Sequence, residues 1–299
     1  MPVLVLCGSP AAGVPSAPAR VIDPSTPIAT ATDQGLTRGD GVFESVGVHH
    51  GRIHDLEPHL ERLAQSASML DLPAPDLGDL RDAVATAVRE FLAPLDAPPP
   101  TVLVKIVYTR GGAEASPDRP AGSPFGFVYA DEFPDPRPAR RDGVSAITLT
   151  RGYPLGIGAS APWLTIGAKT LSYAVNMAAL RHAAARGAQE VVFTTTDGFV
   201  LEAPRSTVLV RYGGMVSTPE IDGGLLHGTA QRAAFEAFEA RGFTCDYRAI
   251  RVDELASADA IWLADSAFLL RPLHTLDGRE LAIDRELTGA VVDDMLARA

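Results

Sequence analysis

The stretch Lys169-Thr-Leu-Ser-Tyr173-Ala-Val-Asn176-Met-Ala-Ala-Leu180, followed by Gly198-Phe-Val-Leu-Glu202-Ala-Pro204, decides how this chain is read. The apolar run predicts a helix over 169–186, opened by the lysine and stopped near Gly187. Glu202 lies on the hairpin partner of a strand at 189–195 that turns at 196–198. A lysine and a glutamate are ordinarily solvated side chains. In the first turn of a helix, however, the macrodipole disfavours a cation, so a lysine there is better tolerated as a free amine or imine. The preceding Gly167-Ala168 lets a flat ligand approach the backbone. Such an amine and carboxylate are what pyridoxal phosphate (PLP) chemistry needs: one forms a Schiff base, the other keeps the pyridine nitrogen protonated.

Outward from that stretch the apolar periods mark two halves. An apolar start at 1–7 reads as a first strand, and a Pro/Ala-rich loop follows over 9–30. Next comes a strand at 41–49, reversed near His50-Gly51 into a second. Leu56, Leu60, Leu63, Ala67 and Leu70 share one helical face, and Leu80, Val84, Val88 and Phe91 share another. Residues 101–108 and 125–129 read as buried strands. This gives a small α+β domain over 1–130. Three prolines and many charges over 131–143 read as an interdomain linker. The larger domain, 144–299, opens with a strand at 144–150. It continues with a helix at about 229–241, strands around 244–252 and 261–264, and a last helix at about 284–298.

Composition narrows the classes. With 299 residues and 46% hydrophobic content the chain can bury one or two cores. A net charge of −11 argues against nucleic acid or anionic membranes as partners. Cys7 and Cys245 offer neither a disulfide framework nor zinc spacing, so no metal is expected and a reducing cytoplasm fits.

The segment Gly224-Leu-Leu-His-Gly228-Thr229-Ala230-Gln231 reads as a short strand entering a glycine turn that opens a helix. Backbone N–H groups near Thr229 and Ala230 would be placed to bind an anion such as a cofactor phosphate, unless they are simply solvated. Tyr173, one turn after Lys169, would share its helical face and could reach the cofactor's phenolic oxygen, or be a core aromatic.

Taken in order, Asp33-Gln-Gly-Leu-Thr-Arg-Gly39-Asp-Gly41-Val-Phe-Glu44, His59-Leu-Glu-Arg62-Leu63, Lys169, Glu202 and 224–230 resemble the fold-type IV PLP enzymes, the class IV aminotransferase family, over nearly the whole chain. Within that family, Lys169 to Asn176 with Glu202-Ala-Pro-Arg-Ser-Thr207 is most similar to actinobacterial aminodeoxychorismate lyases. The resemblance implies a two-domain α+β fold of the D-amino acid aminotransferase kind: a small α/β sandwich domain and a larger barrel-like mixed-sheet domain, with PLP in the cleft and a homodimeric assembly. It implies Lys169 as the catalytic, cofactor-bearing lysine and Glu202 as the pyridine partner. Arg62 would lie at the phosphate, Ser266 beside it, and Arg110 or Arg38 at a substrate carboxylate. Ala230 stands where relatives often have threonine and His227 where they often have proline. Asp265 would repel a phosphate unless it faces away, and is left out of the site. The implied activity is a lyase that makes 4-aminobenzoate and pyruvate from 4-amino-4-deoxychorismate for folate synthesis. The alternative is a transaminase for D-amino or branched-chain amino acids.

Overall fold

The computed structural model describes residues 1–7, 19–112, 123–220 and 225–298. Gly224 and the part of the Pro/Ala-rich loop before residue 19 lie outside the described residues. The chain divides into two compact units, one of Met1–Asp135 with Ala168–Tyr173, the other of Pro136–Gly167 with Ala174–Arg298.

The first unit contains β1 (Val3–Leu6), β2 (Arg20–Ile22), α1 (Gln34–Arg38), β3 (Gly41–His49), β4 (Arg52–Ile53), α2 (Leu56–Met69), α3 (Leu77–Leu92), β5 (Thr101–Thr109) and β6 (Phe125–Glu132). Its sheet runs β2-β1-β6-β5-β3-β4, antiparallel throughout. Strand alternation puts Val42, Val46, Val48, Val104 and Ile106 on one face, where Leu60 and Leu63 of α2 and Leu80 and Val84 of α3 cover them. The turn from β3 to β4 uses two positive-φ residues, His50 and Gly51, as a two-residue hairpin demands.

The second unit contains α4 (Arg137–Asp142), β7 (Val144–Thr150), α5 (Ile157–Ser160), α6 (Ala174–Ala184), β8 (Glu190–Thr194), β9 (Thr207–Tyr212), β10 (Met215–Pro219), α7 (Thr229–Ala240), β11 (Thr244–Arg248), β12 (Ala260–Asp265), β13 (Leu269–Leu276), β14 (Arg279–Glu280) and α8 (Arg285–Ala297). Its mixed sheet runs β11-β10-β9-β12-β13-β7-β8, with β14 on β13. The strap 198–202 bonds both ends of that series. Leu201 N–H donates to Phe193 O at the β8 edge (2.8 Å), and Val200 N–H to Ile250 O just beyond β11 (2.8 Å). The sheet is thereby curled into a barrel-like ring, and Glu202 is carried at its seam. Trp262, fully buried, ties α8 to β12 by donating from Nε1 to Thr288 Oγ1 (2.8 Å).

Three sequence expectations need correction. The helix begins at Ala174, not at Lys169. β5 pairs β3 along its whole length, but β4 covers only Val48 and His49 on the other side, so residues 41–46 present an open row of backbone groups. The segment 169–171 fills that row: Phe43 N–H donates to Lys169 O (3.0 Å) and Leu171 N–H to Gly41 O (2.8 Å). The macrodipole argument for Lys169 therefore falls, as does the shared helical face of Tyr173. Second, residues 225–228 are not a strand. Third, residues 131–143 are not a bare linker. Asp131 and Glu132 finish β6 and Pro136 leads into α4, whose Ala139 packs against a core of the second unit.

Replacing Leu63, buried to 0% exposure in the first unit's core, with alanine should cost about 2–5 kcal/mol in urea unfolding. Leu36→Ala, at 69% exposure, should stay within about 0.5 kcal/mol. Equal losses would show that the core is misplaced.

Candidate functional site

In the first unit Lys169 is fixed through its backbone, with its carbonyl on β3 and its N–H donating to Ser66 Oγ of α2 (3.1 Å). Its half-buried side chain brings Nζ to 4.7 Å from the Phe43 ring centroid, where the ring's negative face attracts a cation. Tyr173 meets the same ring edge-on at 5.3 Å.

Beside it lies a buried charge cluster of motif residues whose pairing the sequence did not disclose. Glu44 occupies an inward position of β3 between Val42 and Val46 and is fully buried. Arg62 grips it with two hydrogen bonds, Nε to Oε1 and Nη2 to Oε2, both 2.7 Å, and His59 Nδ1 adds a third at 2.7 Å. His59, Arg62 and Ser66 recur at the helical spacing that aims them at β3. Burial raises the Glu44 pKa, but Arg62 and His59 outweigh it and hold the carboxyl well below its ordinary range. Burial lowers the His59 pKa, and the Arg62 and Lys169 charges add to this against the pull of Glu44. His59 is thus neutral at pH 7 and donates from Nδ1. The signal for the pairing itself was an acidic residue in an inward-facing run of valines.

Arg110 does not stand open. Its Nε and Nη2 donate to Asp40 (2.6 and 3.2 Å), and Nη2 and Nη1 to the carbonyls of Leu70 and Asp71 at the end of α2 (2.6 and 3.2 Å). Its guanidinium is committed to holding β5 against that helix end. Arg38 is exposed in the last turn of α1, with no hydrogen bond or ion pair among the described residues.

In the second unit Glu202 lines a shallow cleft with Thr207, Thr218, Leu225, Gln231 and Tyr247. Burial raises the pKa of Tyr153, with Arg151 opposing the rise and the charge of Glu202 adding to it. The loop after Glu202 is clamped from several elements. Asn176 of α6 donates from Nδ2 to Pro204 O (2.8 Å) and accepts from Arg151 (2.8 Å). Arg205 pairs with Glu190 of β8 (2.9 Å), and Ser206 donates to Asp265 (2.9 Å). Asp265 also accepts from Arg271 and from the N–H groups of Ala267 and Phe268, so its charge is taken up within this unit. Ser266 sits half-buried in that turn.

Thr229 and Ala230 are buried at the start of α7, after the extended Gly228. The first N–H in the helical ladder is that of Arg232, bonded to Gly228 O (3.1 Å), so the N–H groups of Ala230 and Gln231 precede it. A Cβ on Gly228 would come 2.5 Å from Thr207 Oγ1, so only glycine allows the helix start so near the cleft wall. An amine in one unit, and in the other a carboxylate at a cleft beside a helix N-terminus, match the aldehyde, pyridine nitrogen and phosphate of PLP in kind. Burial raises both thiols, that of Cys245 to about 12, so neither is reactive. Among the described residues no cluster of three or more His, Cys, Asp or Glu could hold a metal, and no helix is long and apolar enough to cross a membrane.

A family model described as amino-transferase class IV matches residues 41–276. A bifunctional aminodeoxychorismate lyase / D-amino acid transaminase of Mycobacterium tuberculosis is 46% identical over 270 residues, covering 87% of this chain and 90% of that protein. A fold IV-transaminase from Curtobacterium pusillum superposes with a TM-score of 0.92 at 41% identity, covering 99% of this chain and 98% of its own. The PLP-bound form of a hypothetical aminotransferase from Mycobacterium tuberculosis does so at 0.89 and 40%, over 100% of both chains.

The Glu44 cluster sets a pH dependence. Both groups have folded pKa values below their unfolded ones, so their contribution is present above the unfolded values and is lost on acidification. Stability should fall first below about pH 6.5 through His59 and then below about 4.3 through Glu44. Glu44→Gln should cost about 3–5 kcal/mol by leaving Arg62 buried without its counter-charge, and should remove the lower step. Urea midpoints measured against pH check this; a midpoint unchanged by the substitution contradicts it.

Proposed function

The chain belongs to the class IV aminotransferases, PLP-dependent enzymes of fold-type IV, and from that premise we propose that it is an aminodeoxychorismate lyase that releases 4-aminobenzoate and pyruvate from 4-amino-4-deoxychorismate. The observation that carries the reading is the placement of Lys169. Its backbone is pinned at both N–H and C=O while its half-buried amine is held over the Phe43 ring. Bound PLP supplies the electron sink that makes the proton on the amino-bearing carbon removable.

The chain's own residues divide the remaining work. Lys169 holds the cofactor through its amine and moves that proton. Glu202, steadied by the clamped loop that follows it, keeps the pyridine nitrogen protonated. The N–H groups at the start of α7 receive the phosphate, with Arg62, oriented by Glu44, and Ser266 adding to its binding. Tyr173 packs beside the amine. Arg38, not the committed Arg110, serves a substrate carboxylate. A cytoplasmic homodimer belongs to the same proposal, on the cysteine content and the family likeness.

The second reading is transamination of D-amino or branched-chain amino acids. The same lysine and glutamate would serve, and the bifunctional relative bears a D-amino acid transaminase name. The two readings part on acceptor dependence, because a transaminase stalls once its cofactor carries the amino group. Supplied with aminodeoxychorismate and no keto acid, the protein should release 4-aminobenzoate and pyruvate in equal amounts. Fast amino exchange between D-alanine and 2-oxoglutarate with no 4-aminobenzoate would overturn the lyase reading in favour of the transaminase.

A further inference from the structure

A carboxylate repels a phosphate, yet Asp265 ends β12 directly before Ser266, a side chain proposed to bind that phosphate. Its hydrogen bonds show why it is tolerated there. Oδ1 accepts from the N–H groups of Ala267 (3.0 Å) and Phe268 (2.8 Å), and Oδ2 from Ser206 Oγ (2.9 Å) and Arg271 Nη2 (3.2 Å). The carboxylate is thereby turned back into its own unit, with a side-chain exposure of 12% and a buried arginine beside it.

The turn it holds is not one that its sequence favours. Asp265 pairs with Leu269 across a three-residue loop, Ser266 to Phe268. The residue that closes such a loop takes the left-handed conformation, which glycine adopts freely and leucine does not. Leu269 nevertheless sits at φ 60°, buried to 4% exposure. Strain of this kind persists only where neighbours over-determine the backbone. Here Asp265 binds two successive N–H groups of the loop, and the Arg271 guanidinium lies 4.0 Å from the centroid of the Phe268 ring. The same carboxylate reaches the loop after Glu202. Thr207 pairs with Ala264 at the start of β9, which brings Ser206 alongside Asp265, and Ser206 O accepts from Ala203 N–H (2.9 Å). One side chain thus fixes both the turn bearing Ser266 and the strand start where Thr207 abuts Gly228.

We propose that Asp265 is a positioning residue for cofactor binding: it acts through Ser266, holding the strained turn so that the Ser266 hydroxyl meets the phosphate already oriented. Preorganisation of this kind raises affinity by removing an ordering cost, without a contact of its own. Its sign is opposite to that of charge alone. A carboxylate acting only through its charge weakens the binding of a phosphate, so neutralising it would tighten PLP; where it acts by position, neutralising it loosens PLP. Asparagine fits the same space but cannot serve all the donors around Asp265, since one of its two ends is an NH2 group. The inference rests on the placement of Ser266 at the phosphate and is independent of which reaction follows.

The test compares PLP with pyridoxal, which lacks the phosphate. Each is titrated into the cofactor-free full chain and followed by visible absorption, for the parent protein, Asp265→Asn, Ser266→Ala and the double variant. Asp265→Asn should weaken PLP by about tenfold or more while pyridoxal changes by less than about twofold. The double variant should bind PLP no more weakly than the more damaged single variant, because both substitutions remove the same contact. Ser206→Ala, which takes away one donor to Asp265 and leaves every charge in place, should give the same split at about threefold, and serves if Asp265→Asn does not fold. Tighter or unchanged PLP in Asp265→Asn, equal weakening of both ligands, or additive losses in the double variant would each overturn the inference. A loss in Ser266→Ala without one in Asp265→Asn would also overturn it while leaving Ser266 at the phosphate. No loss in Ser266→Ala would withdraw Ser266 from the phosphate, and the inference with it.

Discussion

The open edge of β3 between Gly41 and Val46 is the constraint on which the lysine site depends. Unpaired backbone groups on a strand must be met by water or by another segment, and here residues 169–171 meet them. That pairing makes 168–173 part of the first unit although the residues on either side belong to the second. The position of the Lys169 amine thus follows from the β3 backbone and from Ser66, not from the helix that begins at Ala174. Phe43, on the same strand, then supplies the ring over which that amine stands.

Charge burial does comparable work in each unit. Glu44, Arg62 and His59 form a saturated cluster under the β3 sheet, whose cost is offset because every Glu44 oxygen accepts at least one hydrogen bond. In the second unit Arg271 pairs with Glu190 at 2.9 Å and Asp265 at 3.2 Å, and Arg205 and Ser206 tie the loop after Glu202 to the same carboxylates. That network is less complete: Glu190 Oε2 and Arg271 Nε are buried with no hydrogen-bond partner. Its value is directional, since it holds the loop that follows Glu202 at the barrel seam.

Much of the architecture was legible because it is periodic. The stripes from Leu56 to Leu70 and from Leu80 to Phe91 lie on α2 and α3, and the two-residue turn at His50-Gly51 is where its chemistry places it. What escaped the sequence was non-local. An apolar run after Lys169 reads as helix until the free edge of β3, more than a hundred residues earlier, claims its first residues. Likewise Arg110 looked available because Asp40 and the end of α2 are distant in the chain. Glu44 could have been found, since an acid between two inward valines must have a buried cationic partner.

With only two lysines in the chain, Lys105 and Lys169, the claim that Lys169 carries the cofactor has an unusually clean test. Borohydride reduction of the PLP-loaded protein should fix one pyridoxyl group, and peptide mapping should find it on Lys169 with Lys105 unmodified. A label on Lys105, or none after PLP has been supplied, would contradict the account.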